Sequence, residues 1–499
     1  MPLLKVAPNQ VTVRMYRIGH GDCFLIAMPR KRGTKAYYVL IDCGYKPGSQ
    51  AFIHHDKVDE IVDHLHESTG GKIDLFIITH EHQDHCNGIW KERDPYFEKF
   101  KIANAWFAWT ESPTDDVAIK LRKRHRDVLV GLVEARKKLA LAAGEDDEAV
   151  QRLTTLLSLE SGGEAGMLGA VDPEKSGNKQ GMKLVKDKAR ASGGDDAISY
   201  LLPGECHDLP GVAGIRAFVL GPPRDEDLLL DEDPQGSEGF KRLSGASELS
   251  FAAAAGTATG SDVESPFAAK FQISKDEALK RDWFTKWYGD SDAEDKADKK
   301  EVVSNAPWRR IDAEWLYAAE SLALKLNTGI NNTSLVLAFE LPKSKKILLF
   351  VGDAQRGNWI SWDDQTWKVD GKTFKAKDLL ARTVLYKVGH HGSHNATLDG
   401  SEDDDYPNLG WMGQGRHADE FTAMITAVNK WATEKNTPPW VHPLPSIRKA
   451  LETKTGGRLF QTDRDEPGQP NDVPDSEWKS FMKRVRCEDL FFDYTVTDD

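Results

Sequence analysis

Four residues of metal-binding type fall within six positions: His80, His82, Asp84 and His85, in the run THEHQDH. The chain holds 15 histidines in 499 residues, and a fifth of them are here. On an extended segment residues two apart project to the same side, so the imidazoles of His80 and His82 can converge on one ion. Asp84 and His85 follow a turn where a helix is expected to start, and can face a second position nearby. Imidazole with carboxylate is a borderline donor set that suits Zn, Mn or Fe. Four unrelated polar residues in a surface loop would not account for their place straight after the apolar run IDLFII, whereas open α/β sheets put their sites at strand ends. Cys86 adjoins the cluster and reads as a small buried residue rather than a ligand.

A cluster at a strand end needs a sheet to carry it. VTVRMYRIG, from Val11, alternates apolar and polar residues with the period of a half-buried strand. CFLIAMP and AYYVLID are more continuous apolar runs, expected to be more buried. Val58, Ile61, Val62 and Leu65 have helical spacing, IDLFIIT reads as the strand entering the cluster, and ANAWFAWT as another. From about Glu111 the character changes. Residues 117–143 read as a long helix and 150–159 as a second, while 161–195, rich in Gly, Lys and Ser, is expected to be mobile. Strands return at AISYLLPG and GIRAFVLGPP. Residues 224 to about 304 are acidic and Ala/Ser-rich, a solvated insertion. A helix from Ala313 should lead into the strands SLVLAFEL, KILLFVGD and TVLYKVG. Beyond these come a helix around Phe421 to Trp431, a strand at WVHP, a helix around Ser446 to Leu451 and the strand GRLFQTD.

Composition bounds the function. A hydrophobic fraction of 39%, with 14 Trp and 20 Phe, supplies a real core. The formal charge of −13 excludes bulk charge as the means of holding nucleic acid, leaving a local basic groove or a bound cation. The basic runs KLRKRHR, ARKK and KLVKDKAR read as polar helix faces or, alternatively, as the lining of a nucleic-acid groove. MPLLKVAPNQ lacks a signal-peptide core, and no window approaches the ~18 apolar residues of a membrane span. Five cysteines without a CxxC pair fit a reduced setting. A cytoplasmic protein with no membrane partner is expected.

HEHQDH resembles the HxHxDH signature of the metallo-β-lactamase superfamily, and further pieces resemble that family's pattern in the same order. VLIDCG is similar to its early strand ending in Asp-x-Gly, FVGDA to the strand end with a metal-bridging aspartate, and KVGHHGSHN to its late histidine motif. The closer resemblance is to the hydrolase domain of ComEC-type DNA-uptake proteins and their soluble relatives. RIGHGDCFLI, NNTSLVL, LLFVGDA, HHGS and the late His442-Pro443 with Thr462-Asp463 carry it. The similar pieces cover about 1–110, 197–223 and 313–465. Nothing in this sequence corresponds to the membrane channel of those proteins, so DNA uptake is not implied.

The resemblance implies a single α/β domain, a four-layer αββα sandwich of metallo-β-lactamase type. Its core would be about 1–110, 197–223 and 313–499, interrupted by a mainly helical insertion over 111–196 and an acidic, partly flexible one over 224–312. It implies one or two divalent ions, Zn or Mn. His80, His82 and Asp353 would hold the first; Asp84, His85, Asp353 and one of His390 and His391 the second. His391 is taken as the ligand, and His390 as a group on the scissile phosphate or a proton donor. Asp84 and Asp353 would orient or deprotonate the attacking water, and Asp42 and Asp22 would support the site. Ser393, Asn332 and His442 are expected to contact substrate. There is one departure. Many superfamily members carry a histidine between the cluster and the bridging aspartate. Only His125, in a basic helix expected to face solvent, and His207, in an expected turn, fall in that interval. The first ion is therefore expected to be weakly held or replaced by water.

Two ions about 3.5–4 Å apart clamp the attacking and leaving oxygens of an in-line displacement, so no Ser or Cys nucleophile is required. The expected activity is metal-dependent hydrolysis of phosphodiesters, foremost as a nuclease on DNA or RNA. The amides and hydroxyls of HHGSHN and NNTS suit phosphate oxygens. The alternatives are hydrolysis of a small phosphodiester or nucleotide signal, and a regulatory or scaffold protein of a multi-gene, defence-type system that reaches a partner protein through its insertions.

Overall fold

A computed structural model of the chain describes residues 3–53, 57–89, 96–161, 176–212, 214–232, 234–238, 277, 280–283, 323, 329–436 and 440–499. Short runs of Val, Ile, Leu and aromatic residues form its strands, because such side chains fit a pleated surface covered on both faces. In chain order these are β1 (Gln10–Tyr16), β2 (Phe24–Met28), β3 (Tyr37–Ile41), β4 (Lys72–Ile73), β5 (Leu75–Ile78), β6 (Lys101–Ile102), β7 (Ala105–Ala108) and β8 (Ile198–Leu201). They continue as β9 (Cys206–Asp208), β10 (Arg216–Gly221), β11 (Val336–Glu340), β12 (Ile347–Phe350), β13 (Thr366–Val369) and β14 (Lys372–Lys375). The last are β15 (Thr383–Lys387), β16 (Thr422–Ile425), β17 (Leu459–Gln461), β18 (Val485–Cys487) and β19 (Phe491–Thr497).

Two large mixed sheets result. One runs β18-β19-β1-β2-β3-β5-β7-β8, the other β17-β16-β15-β12-β11-β10-β9. In each, an antiparallel half joins a parallel half, at β3–β5 in the first and at β12–β15 in the second. Strand alternation explains how they stack. Val11, Val13 and Met15 share one core with Val219, Leu337 and Phe350 of the other sheet, so the sheets face each other. The outer face of the first sheet is covered by helix α1 (Val58–Thr69), through Val58, Ile61, Val62 and Leu65. The outer face of the second is covered through Leu379, Leu380 and Leu451, on helices Ala376–Ala381 and Pro445–Thr455. The fold is mixed α/β. Among the described residues no helix is long and apolar enough to cross a membrane.

β1 pairs over its whole length with β19, a strand that periodicity did not single out. Buried Arg14 donates to both oxygens of Asp493 at 2.6 and 2.7 Å. Such a pair fixes register more than it adds stability, since both ions lose their hydration. Helix α2 (Gln83–Cys86) follows β5 and carries the second half of the histidine cluster. Two helices of the first insertion, α3 (Asp116–Ala143) and α4 (Glu148–Ser161), pack Val128, Leu132 and Leu139 against Val150, Leu153 and Leu157. A third, α5 (Gly177–Gly193), forms where mobility was expected. Ser176 caps it, and its stripe of Met182, Val185 and Ala189 buries on the first sheet; the lysines between them hide that stripe in composition. α6 (Glu226–Leu229) follows β10. Most of the expected acidic insertion, and nearly all of the helix expected from Ala313, lie outside the described residues. The stretch from Phe421 to Trp431, expected to be helical, is β16 followed by a short helix, Asn429–Glu434. WVHP, expected to be a strand, is irregular.

Candidate metal centre

Five strands deliver the site from their carboxyl ends, the usual location in open α/β sheets. β3 ends before Asp42, β5 before His80, β12 shortly before Asp353, β15 before His390 and His391, and β16 before Thr426. Four side chains from these ends converge. Asp84, His85, Asp353 and His391 are buried and offer one donor atom each, all within 4.8 Å of one another. His391 Nε2 lies 2.8 Å from Asp84 Oδ2 and 3.7 Å from Asp353 Oδ2, and His85 Nε2 lies 3.2 Å from Asp353 Oδ2.

The other ends of these side chains are anchored. His85 Nδ1 is 2.8 Å from Asp42 Oδ2. Asp42 also accepts from the Thr79 N–H at 2.8 Å and its hydroxyl at 2.7 Å. His391 Nδ1 is 2.9 Å from the Thr426 carbonyl. A carboxylate or carbonyl at Nδ1 fixes the proton there and turns the Nε2 lone pair inward, as in metal-ligating histidines. Asp22 accepts from the Thr426 hydroxyl at 2.5 Å and ion-pairs with Lys387. Backbone bonds tie the turn after β3 to α2: Cys43 N–H donates to His85 O, and Asp22 N–H to Asp84 O, both at 2.9 Å. Gly44 permits this approach, since a Cβ there would stand 2.3 Å from the Asp84 carbonyl carbon and the His85 nitrogen.

Charge is arranged to match. Burial alone would raise the Asp84 carboxyl, but Lys46, at 2.9 Å, with His391 and His85 holds it well below the carboxylate range. Asp353 is likewise held down, against burial, by His85, His391 and Lys387. Burial would lower His85, yet Asp353, Asp42 and Asp22 raise it well above the ordinary imidazole value. Lys46 and Lys387 were not foreseen. Lys387 is a lone cation in the apolar strand LYKV, the one sign in sequence that it must meet buried anions.

His80 and His82 lie beside this group. His80 Nε2 and His82 Nδ1 face each other at 3.1 Å, and His80 Nδ1 meets the Ser334 hydroxyl at 3.2 Å. Among the described residues neither belongs to a set of three or more mutually close donors. Ser334, from NNTS, also accepts from the Asp353 N–H at 2.9 Å, so it braces both halves of the site. His390 is half-buried; its N–H donates to Asp353 Oδ1 at 3.1 Å and its ring faces the Gln355 amide at 3.1 Å. Burial pushes its imidazole down to about 3, so it is neutral at ordinary pH. His442 stacks on His20 at 5.5 Å and stands 5.4 Å from the His390 ring.

Two expected substrate contacts are placed otherwise. Asn332 is fully buried; its oxygen accepts from the Gln355 N–H at 3.0 Å and its NH2 donates to Asp231 O at 2.9 Å. The Ser393 hydroxyl donates to Asn395 Oδ1 at 2.9 Å. Both hold loops together. His125, expected to face solvent, is largely buried with Nδ1 3.8 Å from Glu81 Oε1. His207 lies on β9 beside Trp106, with Nε2 2.9 Å from Glu205.

The donor set fits a divalent cation. His85 Nε2 and Asp353 Oδ2 are buried and face each other at 3.2 Å without a well-formed hydrogen bond. Two imidazoles and two carboxylates are a complete set for Zn or Mn. No protein-family model matches the chain, and no curated protein does.

Proposed function

We propose that this chain is a metal-dependent phosphodiesterase with a metallo-β-lactamase-like αββα sandwich, acting foremost as a nuclease. The convergence of four buried donor atoms, from Asp84, His85, Asp353 and His391, all within 4.8 Å of one another, carries the reading. The facing sheets with helices on both outer faces, and the order of the motifs that resemble the ComEC-type hydrolase domain, support it.

A divalent ion held by those four side chains supplies Lewis acidity toward a phosphoryl oxygen and lowers the pKa of water. The chain's own residues do the rest. Asp42 and the Thr426 carbonyl aim the two Nε2 atoms, and that orientation is worth more than the extra contact itself. Lys46 and Lys387 offset the charge of three buried aspartates and keep Asp84 and Asp353 ionised as acceptors. His390 and His442 stand on one side of the centre as neutral imidazoles, burial lowering both, and a ring N–H of each can donate a hydrogen bond to a phosphate oxygen.

The test is direct. The purified chain is assayed for bound metal, then for hydrolysis of single- and double-stranded DNA, RNA and bis(4-nitrophenyl) phosphate with Mn, Zn or Mg. Cleavage that is lost in Asp84→Ala is expected. Bound metal with no cleavage of any phosphodiester overturns the proposal, and activity surviving Asp84→Ala overturns the assigned centre.

A further inference from the structure

Between the first insertion and the metal-bearing loop lies a cavity of about 90 Å³, against the roughly 10–15 Å³ that one water needs. Two of its walls adjoin the centre. Glu81 lines it and is flanked by His80 and His82; Thr333 lines it and precedes Ser334, the partner of His80. The opposite wall is α3, which contributes Leu121, Arg122, Arg124, His125 and Val128. That wall is fixed in place. Asp115 caps α3 and pairs with Arg224 at 2.7 Å, and the Arg224 guanidinium lies 3.9 Å over the Trp109 ring.

The lining has two characters. Leu121, Val128, Leu229 and Ile330 form apolar faces. Around them stand three acids, Glu81, Glu111 and Glu226, and the bases Arg122, Arg124 and His125. Several of these charges are answered within the protein. Glu81 pairs with Lys179 of α5, Glu111 with Lys186 at 3.6 Å, and Arg122 donates to the Thr110 and Ser112 carbonyls. With acids and bases in balance and several of them already paired, the lining offers a free phosphate no excess of positive charge and a cation no excess of negative charge. A purely apolar group would desolvate the polar rim without replacing its hydrogen bonds. An occupant that satisfies all three conditions is neutral, with apolar faces for Leu121, Val128, Leu229 and Ile330 and with donors and acceptors at its edge.

We infer that this cavity is a nucleobase subsite, receiving the base attached to the phosphodiester that reaches the metal centre. The inference rests on the phosphodiesterase reading for the identity of the attached group. It assigns the helical insertion a role in choosing substrate: α3 supplies one face of the slot and α5, through Lys179, holds Glu81 at its edge. Carboxylates and guanidinium groups are the side chains that read base edges by paired hydrogen bonds.

Calorimetry on the full chain with Mn present, using nucleoside 5′-monophosphates and ribose 5-phosphate as probes, tests it. At least one nucleotide should bind about tenfold or more tighter than ribose 5-phosphate, the increment expected from burying one base. In Leu121→Trp, which fills the slot, that ratio should fall to about one. Leu230→Trp, at an exposed rim position of the same cavity, serves if the first variant does not fold. Nucleotides that bind no better than ribose 5-phosphate, or a ratio unmoved by the Trp substitution in the folded variant, overturn the subsite. Turnover of bis(4-nitrophenyl) phosphate by the unmodified chain is read separately. Base-selective binding without turnover removes the phosphodiesterase reading and keeps the subsite; turnover without base selectivity does the reverse.

Discussion

Asp42→Asn is the sharpest perturbation of the metal centre, because it alters no ligand and almost no volume. Asp42 is completely buried and accepts three hydrogen bonds, from the Thr79 N–H, the Thr79 hydroxyl and His85 Nδ1, all between 2.7 and 2.8 Å. An amide can keep the acceptor facing the Thr79 N–H. Its NH2 then faces the other two. The Thr79 hydroxyl can rotate and accept, but the Nδ1–H of His85 cannot. Relief comes only if the proton kept on a neutral His85 sits on Nε2 instead of Nδ1, which removes the lone pair a bound ion would need beside Asp353 Oδ2. Losing an orienting partner of this kind costs about 10–100-fold in metal affinity, about 1.4–2.7 kcal/mol. The upper half of that range is expected here, since the replacement adds a donor–donor conflict with no water to relieve it. Competition titration of Zn and Mn against a fluorescent chelator measures the loss, with circular dichroism showing that the variant is folded. A folded variant whose affinity falls by less than about threefold refutes the reasoning, since His85 would then not depend on Asp42 for its tautomer.

Metal binding must expel the proton from His85, so apparent affinity should rise by up to about tenfold per pH unit while that imidazole is protonated in the free protein. The sign for the metal-free fold is opposite: the raised His85 pKa gives stability fully present below its unfolded value near 6.5 and lost as pH rises through the folded value. Melting temperatures in chelator should therefore fall with rising pH above about 6.5, and a flat profile refutes this. Asp84 and Asp353, both held low, lose their contribution only as pH drops below about 3.8. His391→Ala should abolish tight metal binding, whereas His80→Ala should leave one ion per chain by elemental analysis; equal losses would mean that one shared centre needs both. Gly44→Ala should lower the melting temperature and weaken metal binding together, since its Cβ would press on the Asp84–His85 backbone at 2.3 Å, an overpacking cost of about 1–3 kcal/mol or more. Asp493→Asn should cost about 3–5 kcal/mol by chemical denaturation, because Arg14 is left charged and buried.

The metal motif was legible because its spacing and its strand-end position are both written locally. IDLFII running into HEHQDH needs no knowledge of the rest of the chain. The same holds for VLIDCG and LLFVGDA, where a buried strand ends on an aspartate. What could not be read depends on partners far along the chain. Lys46 looks like an ordinary surface cation until Asp84, 38 residues away, meets it, and Lys387, out of place in an apolar strand, does not show in sequence that its partner is Asp353, 34 residues earlier. Asn332 looked like a substrate contact because amides suit phosphates, but it is buried and its polar atoms bond the backbone of two other loops, at Gln355 and Asp231. Thr422–Ile425 was mistaken for helix because a parallel strand covered on both faces has no two-residue period to show. The α5 stripe was missed for the opposite reason: three apolar residues among many lysines suffice to hold a helix once a sheet lies beneath it.

The pairing of β1 with β19 has a consequence for synthesis. β1 pairs on one side with the nearby β2, but its neighbour on the other side, β19, lies 479 residues further along at Arg14 and Asp493, and contacts of such separation form late. Domains fold largely as units while the chain leaves the ribosome. The donor atoms also arrive in instalments, at residues 84 and 85, then 353, then 391. A stretch of chain that stops short of residue 391 therefore holds the histidine cluster without its full set of candidate donors.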